Sequence, residues 1–166
     1  MVLPASAAFW FLPAVIPIAI YVAWSDMSTM KIPNKAVMAL AGAYAVLGLF
    51  AFPIETYLWQ WTHMIVALLV GILLNAARLM GAGDAKFIAA AAPMFALGDI
   101  QLIVLVLASC LLAGYVVHRI AKYGGLRKLV PHWESWHSGR RFPMGLPLGM
   151  TLLFYLLLVA IYRTPG

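Results

Sequence analysis

The sequence predicts an all-α, polytopic membrane protein with about six transmembrane helices and both termini on the non-cytoplasmic side. Three observations carry that prediction. Of the 166 residues, 65% are hydrophobic and 10% charged, with a mean hydropathy of +0.97. A water-soluble domain of this size cannot hide so much apolar surface, so lipid is its solvent. The apolar residues also form long continuous runs without period-two alternation. Backbone in lipid must satisfy its own hydrogen bonds, so such runs read as helices rather than barrel strands. Finally, lysine and arginine gather in alternate loops.

In chain order the apolar segments cover about residues 7–24, 36–52, 62–79, 86–97, 100–121 and 146–162. No basic stretch precedes the first, so it reads as a permanent span rather than a cleaved signal. Pro13 and Pro17 suggest a kink within it. The fourth segment is short. A dozen helical residues cover about 18 Å of a core about 30 Å thick, so it needs the preceding "GAGDA" turn to complete it. Residues 122–145 form a loop within what reads as one transmembrane domain, 1–166. Trp133 and Trp136 in that loop suit a headgroup position. Cys110 lies alone in an apolar run, which gives no intramolecular disulfide or multi-cysteine metal site and suits a small packing residue.

The basic residues set the orientation. Lys31 and Lys35 lie between spans one and two, and Arg78 and Lys86 between three and four. Arg119, Lys122, Arg127, Lys128, Arg140 and Arg141 lie between five and six, and only Arg163 falls on the other side. By the positive-inside rule those three loops face the cytoplasm. The net charge of +6 is thus a topology signal. Its expected partner is anionic lipid headgroups at the cytoplasmic face, and nucleic acid need not be invoked.

Against this background two aspartates stand out. Asp26 ends the first span and Asp84 opens the fourth, on the same side and at the same depth, in a chain with five acidic residues. Each alone has an ordinary reading as an interfacial charge, and Asp84 suits the N-cap of the fourth helix. Together they suggest more. Gly81 and Gly83 allow a tight turn and the close approach of another chain segment. Two carboxyls held close cannot both ionise cheaply, so one keeps its proton. The ionised one can activate water and the protonated one can polarise a carbonyl, which suffices for peptide hydrolysis without metal or cofactor.

The surrounding residues carry a family resemblance. "GAGDAK", residues 81–86, resembles the GxGD-x-K signature of type IV prepilin peptidases, aspartyl proteases of the inner membrane. Asp26, followed by Ile32-Pro33-Asn34, resembles that family's first-aspartate motif. "RRFPMGLPLG" is similar to a Pro-aromatic-Gly segment before the last span of its short members, with Met144 where an aromatic is usual. The resemblance implies that Asp26 and Asp84 are the catalytic pair, that Gly81, Gly83 and Lys86 shape the site, and that Pro33 and Asn34 fix the turn after the first helix. It also implies a substrate, a prepilin or pseudopilin, whose short basic leader is removed at the cytoplasmic face just before an apolar helix. Larger members also methylate the new N-terminus and carry a long cysteine-bearing insert after the first span. The corresponding loop here has only about ten residues, so no methyltransferase activity and no zinc site are expected. The short form is that of tight-adherence (Flp) pilus systems or archaeal preflagellin relatives, and "IPN" and "FPMG" favour the bacterial group.

Other polar residues have plainer readings. His132 and His137 lack further ligands for a metal, and His63 and His118 suit span ends. Asn75 and Arg78 either hold the turn near Asp84 or mark the interface. Lys86 either pairs with a carboxylate or snorkels to headgroups. The alternatives to a peptidase are a non-catalytic component of a pilus or secretion assembly and a small carboxylate-dependent transporter. The transporter would want carboxylates nearer mid-membrane and interrupted spans in repeated halves.

Overall fold

The computed structural model describes residues 1–139 and 142–163. Arg140 and Arg141, counted above among the basic loop residues, lie outside the described residues. Among those described there is no strand. The helices are α1 (Ala5–Thr29), α2 (Asn34–Ala51), α3 (Ile54–Ala76), α4 (Ala82–Ala91), α5 (Ile100–Tyr123), α6 (Leu126–Leu129) and α7 (Gly145–Tyr162). Five of them, α1, α2, α3, α5 and α7, are long and apolar enough to cross a membrane.

The fourth apolar segment takes a different form from the others. α4 has only ten residues and gives way to a 3₁₀ turn, Ala92–Met94, then extended Phe95 and Ala96, then a second 3₁₀ turn, Leu97–Asp99. Even so, this stretch traverses the bundle. Asp84 shares a cavity with Asp26 near the end of α1, whereas Asp99 accepts hydrogen bonds from the backbone of Val2 and Leu3 before the start of α1. Extended and 3₁₀ backbone rises faster per residue than α-helix, so fewer residues cover the same thickness. Non-helical backbone is tolerated at membrane depth where protein buries it. Here Ala96 is buried and its N–H donates to the Tyr155 hydroxyl, at 3.3 Å. His63, which its sequence position suggested was an interfacial residue, faces the backbone of Ala92 and Phe95, where α4 ends.

The core lies along α1 and α7, the most buried of the spanning helices, with α2 and α4 packed beside them. Phe11, Val15, Val22, Leu152, Tyr155 and Leu156 are fully buried there. A Cβ on Gly149 would sit 3.2 Å from the carbonyl oxygen of Ala19, so glycine is what lets the two backbones approach, as small residues do between helices in lipid. α3 and α5 lie outside and leave most of their apolar side chains on the surface. α2 and α3 are tied by reciprocal hydrogen bonds: Tyr44 donates to the Tyr57 carbonyl at 2.8 Å and Tyr57 to the Ala45 carbonyl at 3.0 Å.

At the end remote from Asp26, a buried carboxylate gathers three elements. Asp99 accepts from Val2 N–H at 2.7 Å, Leu3 N–H at 3.2 Å and the Tyr155 hydroxyl at 2.9 Å, and the terminal amine lies 3.6 Å away. Asp99 thus joins the N-terminal segment, the turn before α5, and α7.

The 122–145 loop also departs from its expectation. Trp136 is buried rather than placed among headgroups. Its indole N–H donates to the Val130 carbonyl at 2.9 Å, and its ring stacks on His118 at 5.1 Å and on Trp133 at 5.8 Å. His118 is correspondingly buried rather than interfacial. The loop therefore folds back over the end of the bundle near Asp26.

Asp99→Ala leaves several buried donors without their acceptor, each worth about 1–3 kcal/mol. The variant is expected to unfold in detergent at a clearly lower temperature than the parent, and Tyr155→Phe, which removes one of those hydrogen bonds, to show a smaller drop.

Candidate active site

α1 runs on for only one turn past the helical position of Asp26. Met30, in the left-handed region at φ 53°, ends it by donating its N–H to the Asp26 carbonyl at 2.9 Å. The Ser25 hydroxyl then holds the returning chain through the Lys31 carbonyl at 3.1 Å. The Asp26 side chain is 5% exposed and accepts the backbone N–H of Gly145. Gly145 is the first residue of α7, so its N–H has no partner within the helix, and the positive end of that helix favours a carboxylate. A Cβ at Gly145 would lie 2.9 Å from that of Asp26, so only glycine brings α7 this close.

Asp84 occupies the third position of α4. It does not take the N-cap expected of it; Gly81 holds that place. The Asp84 carboxylate reaches back to the backbone of Gly81, the acidic half of a capping box. A Cβ on Gly81 would sit 2.7 Å from Oδ2 of Asp84. A Cβ on Gly83 would meet that of Ile32 at 3.3 Å, so the "IPN" segment lies directly on the start of α4. Pro33 caps α2 and Asn34 opens it. Lys86 then joins the two motifs by donating from Nζ to Oδ1 of Asn34 at 3.2 Å. The carboxylate partner considered for Lys86 is not the one it takes.

The two aspartates face one polar cavity of about 790 Å³. They lie within electrostatic reach of each other. Met30, Met80, Met144 and Phe142 supply apolar walls, and Lys31, Asn75 and Arg78 line it as well. The Asn75 amide donates to the Met80 carbonyl at 2.9 Å, so it does hold the turn before Asp84. Of the expected site residues, Asp26, Asp84, Gly81 and Gly83 line the cavity. Pro33, Asn34 and Lys86 stand behind it as a brace.

Comparison with protein families gives a match to the type IV leader peptidase family over residues 14–117, which includes both aspartates. The chain belongs to that family. No match was found among curated proteins or among solved structures. Five long apolar helices among the described residues, together with its family, make this leader peptidase a multi-pass protein of the inner membrane.

Three features of the leader peptidase's cavity escape a reading by residue type. The donor to Asp26 is a backbone N–H, and only "FPMG" hinted that Gly145 mattered. Phe142 and Met144 come from the same segment, beyond the family match. Arg78 closes α3 in the left-handed region at φ 59°, donating its N–H to the Asn75 carbonyl while Leu79 donates to that of Leu74, both at 2.9 Å. This is a Schellman ending with arginine where glycine is usual. Among the described residues Met30 and Arg78 are the only non-glycines at positive φ, and both line this cavity. His132, Glu134 and His137 line a neighbouring hollow that shares Met30 with it, and no group of three or more His, Cys, Asp or Glu placed to hold a metal occurs among the described residues.

A left-handed L-residue costs roughly 1–2 kcal/mol that glycine does not incur. Arg78→Gly is therefore expected to raise thermal stability in detergent. A fall in activity in the same variant would show that the guanidinium, not the backbone, is what the site uses.

Proposed function

We propose that the protein is an aspartyl endopeptidase that removes a short basic leader from prepilin-like substrates, prepilins or pseudopilins, at the cytoplasmic membrane face. The observation that carries this reading is that Asp26 and Asp84, 58 positions apart in the sequence, line one cavity. Both sit at the same end of the bundle rather than at its middle, which favours hydrolysis with access to water over a carboxylate relay across the membrane.

In this reading the two carboxyls share one proton. The ionised member takes a proton from water as it attacks the scissile carbonyl, and the protonated member donates to the carbonyl oxygen. Asp26, fixed by the Gly145 N–H, and Asp84, fixed by the turn at Gly81, are held by backbone, which cannot swing away as a side-chain partner can. Gly81 and Gly83 keep the turn small enough for a substrate strand to approach. Lys86, Asn34 and Pro33 keep α4 and the start of α2 in register behind it. No metal or cofactor takes part, and no methyl transfer follows cleavage. The basic loops face the cytoplasm against anionic lipid, the leader enters from that side, and the whole chain acts as a single transmembrane peptidase domain of the short kind found in tight-adherence (Flp) pilus systems.

Cleavage of a candidate prepilin in membranes tests the assignment. Wild type is expected to shorten the substrate and to leave its new N-terminus unmethylated by mass even with S-adenosylmethionine present. Asp26→Asn and Asp84→Asn are each expected to abolish cleavage at unchanged membrane insertion. Cleavage by both variants would return the two aspartates to interfacial anchors of a non-catalytic protein.

Sidedness has its own test. A cysteine introduced at Gly125, in a Cys110→Ser background, is expected to react with a membrane-impermeant thiol reagent in inverted vesicles and not in intact cells.

A further inference from the structure

The short, alanine-rich α4 leaves a second feature beside the carboxylate cavity. α3 forms its wall, α4 and the turns after it form its floor with small side chains, Ala85 and Ala92 among them, and Ile100 and Ile103 at the start of α5 bound its far end, leaving an apolar groove of about 470 Å³ open on the outer face of the bundle. On α3 its lining runs from Trp59 to Leu74, about 22 Å of helix. Gly71 lets α3 close on α4 at the site end, where its Cβ would meet that of Ala85 at 2.9 Å.

The groove and the carboxylate cavity adjoin. Met80 lines both, and the chain passes from one to the other in a single residue: Asp84 lines the cavity and Ala85 the groove. An occupant of both must change from polar to apolar at that point. A polypeptide whose apolar helix begins just beyond the bond to be cut meets both.

We infer that this groove receives the apolar helix of the substrate, laid along α3 against α4 and the turns after it, while the residues before that helix occupy the carboxylate cavity. The inference rests on the leader-peptidase reading above. It gives the enzyme a way to select substrates without charge attraction, which Lys31 and Arg78 in the cavity wall would oppose for a basic leader. The helix is captured from the membrane plane, and the groove fixes how far its first residues reach toward Asp26 and Asp84. The unbranched side chain of Met80 at the junction can adapt to different residues there.

The probe is a designed polypeptide with a short lysine- and arginine-bearing leader joined to an apolar helix of about 20 residues. In the first arm, a photo-crosslinking amino acid replaces Ala67, in the groove, or Leu69, on the outer face of α3, in an Asp26→Asn background that does not consume the probe. Position 67 is expected to capture the helical part of the probe and position 69 is not. In the second arm, Ala67→Trp fills the groove. It is expected to slow cleavage of the probe by about tenfold or more, and to leave cleavage of a peptide that spans the same junction but stops before the helix nearly unchanged. Leu69→Trp is expected to change neither.

Crosslinking at position 67 only to lipid or to a second copy of the chain, or equally at both positions, would overturn the inference. So would equal slowing of both substrates by Ala67→Trp, or slowing of neither. If wild type cuts neither substrate, it is the peptidase reading that fails, and the crosslinking arm, which needs no cleavage, still decides what the groove holds.

Discussion

The hydrogen bond from Gly145 N–H to the Asp26 carboxylate is the contact on which the arrangement of the site depends. It joins residues 119 apart in sequence, at the end of the first helix and the start of the last. α1 and α7 form the buried centre of the bundle, so the same contact that orients a carboxylate also sets how the central pair of helices meets. Gly149 and Ala19 continue that close approach further along. A side chain at either glycine would move the backbone that holds Asp26, and with it the distance to Asp84.

The second constraint is the economy of the fourth crossing. A full-length helix there would have packed the space along α3. Instead ten residues of α-helix, two 3₁₀ turns and a pair of extended residues cover the distance. One amide that a helix would have satisfied is met by protein, the Ala96 N–H donating to the Tyr155 hydroxyl. The result is a thin element that brings Asp84 to the cavity and leaves a groove at its flank.

Much of this was legible in the residues because the chemistry is local. Carboxylates, glycines and a proline-asparagine pair at short spacing name their own possibilities, and hydropathy places the spans. What the sequence could not reveal is long-range or carried by backbone. The donor to Asp26 is an amide, which every residue but proline possesses, so no letter marks it. Lys86 offered a charge that pointed to a carboxylate, yet the packing of Gly83 on Ile32 brings Asn34 to it instead. Trp136 had the composition of a headgroup anchor, but a ring stack with His118 and a bond to Val130 fold it inward. Nothing beside Asp99 in the chain marks its burial, because the three groups that bond it come from the N-terminal segment and α7, far from it in sequence.

Among the described helices, α7 leaves the ribosome last. Until it arrives, α1 lacks its principal neighbour, Asp26 has no Gly145 amide to accept from, and Asp99 has no Tyr155. Both carboxylate-centred junctions, at opposite ends of the bundle, are completed by the same late-made segment. While these helices are still emerging, Asp26 and Asp99 lie in the chain without the contacts that fix them, and α7 supplies both when it packs.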